Sequence, residues 1–251
     1  MNYLTLLAPT PKNQNFLVHS RIIGNHKMYD LFDETAAKVV LAITDGDSIR
    51  RVAQQIQTPY ETVRLAVNDL EAAGFVAYDQ GLSVVDSRVR DATLELVAAA
   101  ARVSPPSIDE AYVLPHFGDW PFAFSHIDAA YVWTQGGYQI ARTPDDYPLF
   151  LAVAEEDVRE WEMFFEAFDI PTAFERQPSD DISGSLQVVL YPQSELDAEW
   201  VDGYPVIPRE ETINYMEEHF AQFQPALAML DRMYDDLNLD VVYREEDRVE
   251  P

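Results

Sequence analysis

The sequence predicts an α+β protein in two parts: three short helices, a β-hairpin and a fourth helix, then a mixed α/β domain ending in a helical hairpin. Three observations predict it. Apolar residues recur at helical spacing between Asp33 and Gly74, and the period then shortens to two around a glycine-containing turn. Past the break Ser104-Pro105-Pro106-Ser107 the chain turns aromatic and strand-like. The expected organisation is an irregular arm over 1–28, a helical module over 29–103, an acidic α+β domain over 108–240 and an acidic tail over 241–251.

The first helix is expected to start at Asp33, a side-chain cap, and to bury Ala36, Ala37, Val40, Leu41 and Thr44. Asp47 or Ser48 caps a second, with Ile49, Val52, Ala53 and Ile56 inward and Gln57 at its close. Thr58, Pro59 and Glu61 then read as N-cap, N1 and N3 of a capping box opening the third helix. Val63, Val67 and Leu70 form its buried stripe, and Gly74 supplies the C-cap. Phe75–Tyr78 and Leu82–Val85 flank Asp79-Gln80-Gly81 as a hairpin. A helix from Ser87 to Arg102 carries Leu94, Val97, Ala98 and Ala101 on one face. In the second part, strands are predicted at Ala130–Thr134 and Tyr138–Ala141 around Gln135-Gly136-Gly137, and at Leu149–Val153, Thr172–Arg176 and Leu186–Tyr191. Helices are predicted over Glu155–Phe168, Glu210–Gln222 and Pro225–Leu237.

Composition narrows the setting. The 251 residues are 47% hydrophobic with no cysteine, and no apolar run approaches the roughly 18 residues of a membrane span. A cytoplasmic protein is expected, since the first residues lack the basic start of a secretory signal. The net charge is -27, from 44 acidic residues against 17 basic ones, as in haloarchaeal proteomes, where molar salt cuts the Debye length to about 3 Å. Two other readings of such acidity are a disordered acidic tail, which the apolar content argues against, and a DNA mimic whose carboxylates imitate phosphates. The charge is unevenly placed: residues 1–102 hold 10 Lys and Arg against 12 Asp and Glu, leaving 7 against 32 in the remainder. A near-neutral module in so acidic a chain suits contact with a polyanion, and equally a buried dimer surface.

The stretch SIRRVAQQIQTPYETVRLAVNDLEAAGFVAYDQGLSVV resembles the winged helix-turn-helix regulators of the multiple-antibiotic-resistance (MarR) and arsenic-repressor (ArsR) types. The likeness rests on Ala53, a short turn, a helix ending in Leu-Glu-x-x-Gly-hydrophobic-Val, and a hairpin, and covers about residues 33–101. Gln57 departs from the glycine common in that turn. The resemblance implies double-stranded DNA as partner, with the third helix (59–73) in the major groove and the wing over 75–85. Tyr60, Thr62, Arg64 and Asn68 would meet bases or phosphates, with Thr58 at the helix start, Arg50 and Arg51 on the backbone, and Tyr78 and Gln80 reaching from the wing. Arg64, the only base on the third helix, is expected opposite the buried stripe. With only three bases between Ser48 and Val85, a homodimer is expected to double the contacts, through the helix from Ser87 to Arg102.

In the acidic part, Gly136-Gly137 followed by Asp146 and Pro148 resembles a degenerate nucleotidyltransferase signature, with Pro148 where a second metal-binding acid belongs. No catalytic residue, metal or cofactor is expected, and His19, His26, His116, His126 and His219 lack ligand spacing. Phe117, Trp120, Phe122 and Phe124 can line a small-molecule pocket, a partner surface or a core. The expected function is a sequence-specific DNA-binding transcriptional regulator from a halophile, whose acidic domain senses a small molecule or holds a protein partner. The alternatives are a nucleotidyltransferase-like toxin-antitoxin component fused to a DNA-binding module, and a protein-docking module or DNA mimic.

Overall fold

The computed structural model describes residues 32–140, 142, 143, 145–174, 186–239 and 241. The arm expected over 1–28, Arg176 and the acidic tail beyond 241 lie outside them. Within these bounds the chain is mixed α and β, with eight α-helices and two sheets.

The first part follows local signals closely. Helix α1 (Glu34–Ala42) is capped by Asp33, whose side chain accepts from the Ala36 N–H at 2.8 Å. Helix α2 (Ile49–Gln55) is capped by Ser48, which accepts from the Arg51 N–H at 3.1 Å. Helix α3 (Tyr60–Ala73) departs from expectation at its start: Pro59 is the cap, in an extended conformation, and makes no side-chain bond. Thr58 instead turns its hydroxyl back to the Ile56 carbonyl at 3.0 Å, so the expected capping box does not form. At the other end Gly74 takes the left-handed conformation (φ +81°), where a side chain would be strained.

Strands β1 (Val76–Tyr78) and β2 (Leu82–Val84) pair as an antiparallel hairpin. Its far strand is tied to the α1–α2 link, Gly46 N–H donating to Leu82 O at 2.9 Å and Leu82 N–H to Asp47 O at 2.7 Å. This approach is why residue 81 is glycine: a Cβ there would sit 2.5 Å from the Gly46 carbonyl oxygen. Helix α4 (Ser87–Ala101) buries Thr93, Ala98 and Ala101 and packs back on α1.

The second part is a six-stranded mixed sheet in the order β5-β6-β4-β3-β8-β7. Its strands are β3 (Phe122–Phe124), β4 (Tyr147–Ala154), β5 (Thr172–Ala173), β6 (Leu186–Gln193), β7 (Glu199–Val201) and β8 (Tyr204–Val206). The central pair β4 and β6 runs parallel over eight residues, Tyr147 opposite Leu186 through Ala154 opposite Gln193. Strand β4 is buried almost throughout and β6 over its first five residues, which explains the apolar runs Leu149–Ala154 and Val188–Leu190. Helices α5 (His126–Trp133), α6 (Val158–Ala167), α7 (Arg209–Glu218) and α8 (Phe220–Met233) accompany this sheet.

Two expectations are overturned here. Residues 130–133 are not a strand but the last turn of α5, with Thr134 as its C-cap, and 138–140 pair with nothing as a strand. The helical hairpin breaks at His219, not near Gln222, and Pro225 lies inside α8. The two parts share one continuous cluster of buried apolar residues. No helix among the described residues is long and apolar enough to cross a membrane.

Candidate nucleic-acid interface

Four residues, 56–59, join α2 to α3 across Gln57, which has φ +51°. A glutamine thus takes the left-handed geometry that glycine usually supplies, at a steric cost of about 1–2 kcal/mol. Part of the compensation is visible: Thr58 N–H donates to Ala53 O at 3.0 Å, and the Gln57 side chain bonds the Tyr204 hydroxyl. The tight link packs α3 across α2 with Val63, Val67 and Leu70 fully inside.

What α3 turns outward follows from its 100° per residue. Opposite the buried stripe lie Glu61, Leu65, Asn68 and Ala72, all exposed, with Thr62 and Asp69 beside them. Arg64 is not in this centre, as expected from sequence, but on its flank. Its side chain keeps 39% of its accessibility and is bonded through Nε to Glu61. That carboxylate raises the guanidinium pKa above its ordinary value. Tyr60, 50% exposed, stands at the start of the helix, and Leu65, 55% exposed, at the middle of its outer face. Leu65 was not singled out from sequence. The signal was present, because an apolar residue two places after Val63 falls outside the stripe.

The remaining expected residues divide. Arg50, Tyr78 and Gln80 are exposed, on α2 and at the hairpin tip. Arg51 is committed inside the chain: it pairs with Asp47 at 3.2 Å, and its guanidinium lies 3.6 Å above the Trp200 ring on β7. Asp47 itself is buried, which pushes its carboxyl pKa up. Nothing in the spacing of Arg50 and Arg51 distinguishes them; the difference comes from Trp200 on β7, far along the sequence.

The glycine pair of the second part has a local role. Gly136 and Gly137 close α5, their N–H groups donating to Tyr131 O and Thr134 O at 2.9 Å each. Those donors are therefore engaged and do not face a phosphate. Asp146 sits in a tight turn with Thr143, and Pro148 lies within β4. Among the described residues no three His, Cys, Asp or Glu side chains are placed to hold a metal ion. Comparison with protein-family models, with curated proteins and with solved structures finds no match for this chain.

Proposed function

We propose that this chain is a sequence-specific DNA-binding transcriptional regulator of a halophilic cell. In this reading residues 33–101 act as a winged helix-turn-helix, α3 enters the major groove, and the β1–β2 hairpin is the wing. The observation that carries it is the left-handed link at Gln57, which sets α3 across α2 and leaves a face of Tyr60, Thr62, Leu65 and Asn68 open to solvent. Thr62 and Asn68 can hydrogen-bond base edges or phosphates, and Leu65 can meet a thymine methyl. Arg50 and Arg64 supply the phosphate or guanine contacts, whereas Arg51 holds α2 to the acidic part. The sparing of charge in residues 1–102 agrees with this. So few bases favour a homodimer, and α4 offers Leu96, 67% exposed, for such a contact, with Val103 just beyond it, 88% exposed.

A second reading, protein docking, is favoured by one feature of the same face: Glu61, Asp69 and Glu71 outnumber its single arginine. Two substitutions separate the readings. Glu61→Gln removes a carboxylate and frees Arg64, so it should tighten DNA binding, whereas Arg64→Ala should weaken it by about 1–3 kcal/mol. Gel shifts in which neither change matters, with the fold intact, would leave the docking reading.

A further inference from the structure

The N-terminal module and the acidic part enclose a cleft of about 640 Å³, within the ~300–1,000 Å³ typical of small-molecule sites. Trp120, Phe122 and Trp200 give it flat apolar walls. Gln55 of α2 and His116 of the turn at Leu114–Phe117 line it from opposite parts of the chain. Both are deeply buried, 3% and 7% exposed. Gln55 Oε1 and His116 Nε2 are shielded from solvent, and neither has a hydrogen-bond partner. Buried polar atoms in folded proteins are nearly always paired, so atoms without a hydrogen bond on residues that line one cleft, Arg51 Nε among them, point to a missing partner.

The two arginines that line the cleft are already paired within the chain, and Asp45 is a further carboxylate of the lining. Arg51 pairs with Asp47, and Arg90 pairs with Asp119 at 2.5 Å while donating to the Phe117 carbonyl at 2.8 Å. An anionic ligand therefore gains no free counter-charge there. Burial lowers the His116 pKa to about 3, so its imidazole is neutral near pH 7 and Nε2 offers one hydrogen bond. Gln55 Oε1 can only accept.

We propose that this cleft binds an uncharged planar nitrogen heterocycle of nucleobase or nucleoside type. Its exocyclic amino group donates to Gln55 Oε1, its ring nitrogen accepts from His116 Nε2–H, and its faces lie against the tryptophans. The site stands on the cleft alone; that its occupancy regulates DNA binding rests on the function proposed above. Because the walls come from both parts, a bound heterocycle bridges α2 to the acidic sheet and should alter DNA affinity.

Adenosine and cytidine would be titrated into the full chain in about 2 M KCl, followed by tryptophan fluorescence and calorimetry. Purine riboside, which lacks the exocyclic amine, is the comparator. Saturable binding is expected with Kd below about 1 mM, at least tenfold weaker for purine riboside. Gln55→Leu and His116→Phe should each weaken adenosine or cytidine at least tenfold. His116 packs against Phe122 and Phe124, so if His116→Phe does not fold, Gln55→Leu and Trp200→Ala carry the test. No saturable binding of either nucleoside, or affinity unchanged in the folded variants, overturns the site. Binding through Gln55 with no DNA shift under any condition would keep the site and remove the regulator reading.

Discussion

Three donors converge on the buried carboxylate of Asp128: the Arg142 guanidinium at 2.5 Å, the Phe150 N–H at 2.7 Å and the Tyr112 hydroxyl. The cluster joins α5 to β4 and to the segment before β3. Breaking it from one side strands a buried guanidinium, so Asp128→Ala should cost about 3–5 kcal/mol, read as the loss in a denaturant melt. Two histidines set a pH dependence. Burial holds His116 at a pKa of about 3 and His126 at about 4, both well below the ordinary 6.5. The unfolded chain therefore takes up protons first. Their stabilisation is complete above pH 6.5 and is lost as pH falls toward these folded values, on the order of 1–2 kcal/mol each between pH 7 and 5. A melting temperature that falls over that interval in the native chain, and falls less in His126→Phe, is the expected result.

At the scale of elements, α8 carries a removable fault. Pro225 sits in its interior, where it cannot donate to the Ala221 carbonyl. Pro225→Ala should restore that bond and raise stability by about 1–2 kcal/mol, after the smaller entropy of the unfolded proline chain is lost. Pro225 also shows how the sequence misled: a proline marks a break, yet the chain breaks six residues earlier at His219. The elements legible beforehand were those specified locally, by Asp33, Ser48, Gly74 and the hairpin turn at Gly81. Helix α5 was misread because Ile127, Ala129, Ala130, Val132 and Trp133 are all buried, which erases the helical period and leaves a strand-like run. The three-residue strand β3 was not expected, since partners distant in the chain define it, whereas β7 and β8 form a hairpin across Asp202-Gly203, a local turn signal that was not read. The outer face of α3 was legible except for Leu65 and the flanking place of Arg64. The commitment of Arg51 to Trp200 was not, because only the tertiary fold brings them together.

For the whole molecule, charge dominates. A net charge of -27 repels itself in dilute buffer and is screened at high ionic strength, so stability should rise between about 0.1 and 2 M KCl. A melting temperature flat or falling over that range would count against a halophilic protein. The same screening decides what kind of DNA contact can work. Counterion release contributes little in molar salt, and the face of α3 has few bases, so if α3 meets DNA as proposed its discrimination comes from hydrogen bonds and apolar contact at base edges. The most direct test of the central claim is selection of duplexes from a random pool by the full chain in about 2 M KCl, followed by affinity for the enriched and scrambled sequences. The expected result is one enriched motif, bound at least 100-fold tighter than scrambled DNA and less tightly by Arg64→Ala. A pool that shows no enrichment, with the chain folded, would contradict the account.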